Sequence, residues 1–161
     1  MEGEPFWINY DHDDDCRKAL GSPLTIWIGY RREQVRFTSG IPKSFSKTSG
    51  VQRTFCAECG SSISYMDEGL KDEIWLTIGF MDRPERFEPK AHGFWRMKLP
   101  WIQFADELPR SETYTRQRDP TIGYPSDRKT RCLYVPAMSI QCPTVGSLSA
   151  RPDLAPAKDD D

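Results

Sequence analysis

Along the first hundred residues, short apolar runs are cut by regularly spaced turn signals. Leu24 to Tyr30 is rich in Thr, Ile, Trp and Tyr, the residues that fit a pleated, half-buried surface. Gln34 to Thr38 alternates, with Val35 and Phe37 on one face. Ser44 to Lys47 is a short extended candidate centred on Phe45, and Val51 to Phe55 follows. Ser62 to Met66 alternates through Ile63 and Tyr65, Glu73 to Gly79 is nearly continuous in apolar residues, and Phe94 to Met97 is a last strand candidate. Ser39-Gly40, Ser49-Gly50, Glu68-Gly69 and Asp82-Arg83-Pro84 punctuate these runs. A helix is predicted only at Asp14 to Leu20, with acidic residues at its start and Gly21 after its end, together with a helical turn around Pro100 to Phe104. The pattern is mainly β.

Beyond about Arg116 the periodicity stops. Six of the thirteen prolines lie between Pro120 and Pro156, among scattered Ser, Thr, Asp and Arg. Such a composition cannot bury enough apolar surface to offset the entropy of ordering it. The expected organisation is one domain over residues 1–116 and a disordered Pro-rich tail over 117–161. At 161 residues, 37% apolar and 29% charged, the chain supports one modest core. A net charge of −2 offers no global attraction to nucleic acid or to an anionic membrane. No apolar run approaches a membrane span, and the start is acidic rather than signal-like. Five cysteines, an odd number, fit a reducing compartment. A cytoplasmic protein without nucleic-acid or membrane partners is expected.

Three groups of residues carry candidate chemistry. Phe55-Cys56-Ala57-Glu58-Cys59-Gly60-Ser61 holds C-x-x-C-G between two strand candidates, a spacing that lets two thiolates face one metal ion. The alternatives are two buried thiols flanking a turn, or a redox dithiol, although no βαβ pattern surrounds the pair. A structural zinc wants four ligands, and Cys132 and Cys142, in the predicted tail, have no trusted metal spacing. Asp11-His12-Asp13-Asp14-Asp15-Cys16 packs four carboxylates, an imidazole and a thiol into six residues. It reads as a metal or acid–base cluster, or, more simply on composition, as a solvated acidic turn capping the helix. His92 is the second of the two histidines, and a lone histidine carries little weight. Phe94, Trp95, Trp101 and Phe104 read as core.

In order, these pieces resemble the GFA-type domain, the family of glutathione-dependent formaldehyde-activating enzymes and centromere protein V. Cys16-Arg17-Lys18 with Gly21-Ser22-Pro23 is similar to its C-R-K-x-x-G-S-P. Gly40 with Phe45, then Ser49-Gly50-Val51, Arg53 and Phe55 to Ser61, resemble its central signature. Gly79, Asp82, Pro84, Phe87, Pro89, His92, Lys98, Pro100, Trp101 and Asp106-Glu107-Leu108-Pro109 continue the match. The resemblance implies a β-tent of packed short antiparallel sheets around a zinc-knuckle turn. It also implies a carbon–sulfur lyase joining glutathione to formaldehyde at zinc. Asp11, Asp13 and Cys16 then fall in the slots of the family's C-H-C-x-x-C, two thiolates replaced by carboxylates, with Cys56 and Cys59 in the structural slot. Catalytic residues would be Asp11, His12, Asp13 and Cys16. Arg17 and Lys18 would meet the glutathione carboxylates. The family's earlier C-x-C, on an N-terminal strand, is absent from this sequence, which reads as truncation or divergence. Two other functions stand beside this one: a zinc-independent lyase or isomerase using Asp11-His12-Asp13, and a non-catalytic binding domain.

Overall fold

A computed structural model describes residues 1–116 of the chain. The expected tail, with Cys132 and Cys142, lies outside the described residues. Seven strands form one sheet: β1 (Trp7–Asp11), β2 (Thr25–Arg31), β3 (Lys43–Phe45), β4 (Val51–Phe55), β5 (Ser62–Asp67), β6 (Glu73–Thr77) and β7 (His92–Gly93). Their spatial order is β3-β4-β5-β6-β2-β1-β7, so the domain is mainly β, as its pattern predicts. Neighbours pair antiparallel except β1 and β7, which run parallel with Tyr10 opposite His92. No helix among the described residues is long and apolar enough to cross a membrane.

The one α-helix among the described residues, α1 (Asp14–Leu20), forms where its end signals predict. Asp13 caps it by accepting the Asp15 amide at 2.9 Å, and Asp14 and Asp15 place negative charge at its positive end. Gly21 closes it at φ 62°, a left-handed conformation that costs glycine little. Cys16 is the helix's buried residue.

Three stretches differ from the pattern reading. All of β1 pairs with the first five residues of β2, from Trp7 opposite Gly29 to Asp11 opposite Thr25, a strand the pattern reading passed over. Gln34 to Thr38 is not a strand. The chain turns at Arg32–Gln34, where the Gln34 side chain accepts the Arg31 amide at 2.9 Å and donates to the carbonyls of Glu2 and Glu4. Val35 still packs on the core, while Phe37 is exposed, so the alternation reflects two separate environments. Phe94 to Met97 is likewise not a strand. Phe94 takes φ 54° and a 3-10 turn over Trp95–Met97 follows, so the pairing of β7 ends at Gly93.

Ile8, Ile28, Tyr30, Ile63, Ile74 and Leu76 make the buried core, drawn from β1, β2, β5 and β6. Ile28 is fully buried, and truncating such a side chain to alanine costs about 2–5 kcal/mol. Gly29 leaves room for an aromatic neighbour: a Cβ there would lie 2.7 Å from the Phe6 ring. The sheet thus brings the end of β1, the start of α1 and the middle of β4 into one neighbourhood.

Candidate functional site

Asp11 ends β1 with its side chain buried. One carboxylate oxygen accepts the Asp13 amide at 2.9 Å, and the other accepts the Trp27 indole N–H at 2.8 Å. Burial raises its pKa above the ordinary carboxyl value, against the opposing pull of the Asp13 amide and of the Cys16 and Trp27 side chains. Cys16, in the first turn of the helix, lies against both this carboxyl and the guanidinium of Arg53, whose Nη2 is 3.6 Å from Sγ. Burial, then the negative charge of Asp11, pushes the Cys16 thiol well up, so it stays protonated. Asp11, Asp13 and Cys16, separated in sequence, therefore come together, with β4 adding a cation through Arg53.

His12 belongs to a different group. Its Nε2 is 3.1 Å from His92 Nδ1, and His92 Nε2 is 3.1 Å and 3.2 Å from the two carboxylate oxygens of Asp106. The carboxylate can only accept, so His92 Nε2 carries a proton. With both rings neutral, His92 Nδ1 then accepts the N–H of His12 Nε2, and His12 Nδ1 is left as a bare lone pair. That buried atom has no hydrogen-bond partner. Trp95 and Phe104 pack edge-on against both rings, and Tyr10 stacks on His92. Burial, helped by the charges of His92 and Lys98, lowers the His12 pKa to about 4.

The polar partners of His12 are thus on the β7 side, and those of Asp11 on the β2 and α1 side. His92 and Asp106 carry more of this arrangement than sequence spacing suggests. A histidine and an aspartate fourteen residues apart, both far from His12 in sequence, give no local signal.

Of the two basic residues after Cys16, Lys18 is exposed and ion-paired to Asp14 at 2.7 Å across one helical turn. Arg17 is half-buried, and its Nε has no hydrogen-bond partner. Arg53 Nη1 is in the same condition, while its guanidinium packs over the Tyr65 ring. Two guanidinium donors close to Cys16 in sequence or in space are therefore unspent.

Cys56 and Cys59 lie in the turn between β4 and β5. The turn is closed by the Cys56 amide donating to the Ser61 carbonyl at 2.8 Å and by the Gly60 amide donating to the Cys56 carbonyl at 3.0 Å. Gly60 supplies φ 76°. Cys56 is half-buried against the core, and Cys59 is exposed. Hydrogen bonds from Ser61, then from the Cys56 thiol, lower the Cys59 pKa.

A family model described as glutathione-dependent formaldehyde-activating enzyme matches residues 1–97. The chain belongs to this family. It has no match among curated proteins. The match spans the Asp11–Cys16 segment, Arg53 and the Cys56–Cys59 turn, so these features sit inside the GFA domain.

Among the described residues, the zinc implied by that family finds no complete ligand set. Both oxygens of Asp11 are taken by protein N–H groups, an oxygen of Asp13 caps α1, and Arg53 already sets a positive charge on the Cys16 thiol. Among the described residues, no three His, Cys, Asp or Glu side chains are grouped so as to hold a metal ion. Cys56 and Cys59 supply two ligands of the four a structural zinc takes.

Proposed function

We propose that this GFA domain makes and breaks the carbon–sulfur bond of a small thiol–aldehyde adduct, with the glutathione–formaldehyde pair as its reference substrate. The observation that carries this reading is the pair of unspent guanidinium donors, Arg17 Nε and Arg53 Nη1. A buried charged donor without a partner costs about 1–3 kcal/mol or more, and a substrate carboxylate relieves that cost. Glutathione carries two carboxylates. In this reading Arg17 and Arg53 receive them, and Lys18, engaged with Asp14, does not.

The reaction then needs one proton carrier. In the breaking direction the adduct's hydroxyl proton passes to Asp11, the carbon–oxygen double bond forms, and the carbon–sulfur bond breaks with its electron pair on sulfur. The proton then returns to that sulfur. Burial keeps the proton affinity of Asp11 above that of a solvated carboxylate, as a proton shuttle requires. No step is routed through zinc. A base formed by Asp11, His12 and Asp13 together is not part of this reading, because His12 faces His92 and Asp106.

The test is exchange spectroscopy on glutathione and formaldehyde with the full chain, run with and without added zinc. The expected result is saturable acceleration over the uncatalysed reaction without zinc. The double variant Arg17→Gln, Arg53→Gln should raise KM by about tenfold or more while the fold is kept. Acceleration absent under both conditions overturns the reading. Glutathione binding without acceleration supports instead a binding domain, a reading favoured by the burial of Asp11 and Cys16, each less than a tenth exposed.

A further inference from the structure

Sheet register sets Arg53 between two aromatic rings. It stands opposite Phe45 on β3 and opposite Tyr65 on β5. Residues directly opposite on paired strands project from the same face, so the cation and the two rings form a row. The row is not symmetrical. Phe45 is exposed, whereas Tyr65 is half-buried and carries the contact: the Arg53 guanidinium carbon lies 5.0 Å from the centre of the Tyr65 ring. That ring is itself held. Its hydroxyl donates to Asp67 Oδ2 at 2.8 Å, and the other oxygen of the buried Asp67 accepts the Gly69 amide at 2.8 Å. The ring also meets Trp27 at 5.8 Å between centroids, and the Trp27 indole N–H is spent on Asp11.

A ring face holds a guanidinium through its quadrupole and consumes none of its N–H donors, as a carboxylate would. The contact of Arg53 Nη2 with Cys16 Sγ, at 3.6 Å, is to a weak acceptor. Nη1 is left buried and without a partner.

We infer that Tyr65, anchored by Asp67, is a positioning residue that aims Arg53 Nη1 at a carboxylate of the substrate. This rests on the reading of Arg53 as a carboxylate receptor. An acidic side chain in the place of Tyr65 would fix the guanidinium and neutralise it. The ring fixes it and leaves its charge for the ligand. Without the ring, the long arginine stem samples several rotamers, and each binding event has to order it. That cost falls on binding rather than on bond breaking, because the carboxylates of glutathione are remote from the reacting carbon.

The experiment compares the full chain with Tyr65→Phe, Tyr65→Leu, Arg53→Gln and the double variant Tyr65→Leu, Arg53→Gln, each checked for fold by circular dichroism. In the free protein the Arg53 Nε–Hε NMR signal, assigned by its loss in Arg53→Gln, should be displaced upfield by the ring current of Tyr65. Tyr65→Phe should keep that displacement and Tyr65→Leu should abolish it. With glutathione and formaldehyde, Tyr65→Leu should raise KM by about fivefold or more with kcat kept, and the double variant should be no worse than Arg53→Gln alone. A residue that only stabilised the fold would leave the NMR signal in place and give additive losses. An Arg53 signal identical in the parent and in Tyr65→Leu overturns the inference, and so do additive losses of KM in the double variant. Glutathione neither bound nor turned over by the parent overturns the lyase reading instead, and the Arg53 signal then decides this inference alone.

Discussion

Cys16 and Cys59 both occupy signature positions of the GFA family, and the fold treats them in opposite ways. Cys16 is enclosed by α1, the Asp11 carboxyl and the Arg53 guanidinium, and its thiol holds its proton far above the ordinary range. Cys59 stands in solvent on a β-turn, where the Ser61 hydroxyl helps it release its proton. Burial without a bound cation stabilises the neutral thiol, whereas exposure beside hydrogen-bond donors stabilises the thiolate. One residue type, in two slots of one domain, becomes a buried, protonated thiol in the first and a solvent-facing one in the second.

The most direct way to break this contrast is alkylation at neutral pH. Iodoacetamide should label Cys59 faster than Cys16 by about a thousandfold or more, because Cys16 reacts only through local opening. Comparable labelling rates in a peptide-mapped time course would remove the distinction.

Asp11→Asn tests the enclosure of Cys16 next. Two N–H donors, from Asp13 and Trp27, point at the two carboxylate oxygens, and an asparagine offers an oxygen to only one of them. The other donor meets an NH₂ group, so unfolding by urea should show a loss of about 1–3 kcal/mol. An unchanged denaturation midpoint would mean that the Asp11 contacts are not maintained in solution.

Acid should act on the buried segment before it acts on the turn. The His12 pKa is about 4 in the folded chain against an ordinary 6.5, so the unfolded chain binds more protons between those values. Stability therefore rises with pH across that window and is lost as pH falls from 6.5 towards 4. Discounted for solvent screening, the loss should be on the order of 1–2 kcal/mol. His12→Gln, whose amide can still donate to His92, should flatten this part of the pH–stability curve. A variant curve parallel to the parent's would assign the acid sensitivity to other groups.

The smallest effect is expected at the solvated end of the same helix. The hydrogen bond from Lys18 lowers the pKa of Asp14, yet the pair is exposed. Lys18→Ala should cost only about 0.3–0.5 kcal/mol, and NMR titration should find the Asp14 pKa moved back up. A larger loss would show that the helix surface contributes more than its exposure allows.

What could be read along the chain was local. Asp13-Asp14-Asp15 before a short run and Gly21 after it determine α1, because caps and glycine stops act within a turn. Val51–Phe55 and the C-x-x-C-G turn were legible for the same reason, and the ordered signature was enough to point to the family. The alternation of Val35 and Phe37 misled, because Gln34 finds its partners at Glu2 and Glu4, some thirty residues away. Only the tertiary structure decided that Asp11 turns to Trp27 and Cys16 while His12, its neighbour, turns to His92 and Asp106. A run of charged residues names its groups but not their partners. Those partners arrive on β2, β4 and β7 through sheet register, and they settle which group is desolvated, which is satisfied and which is left free to react.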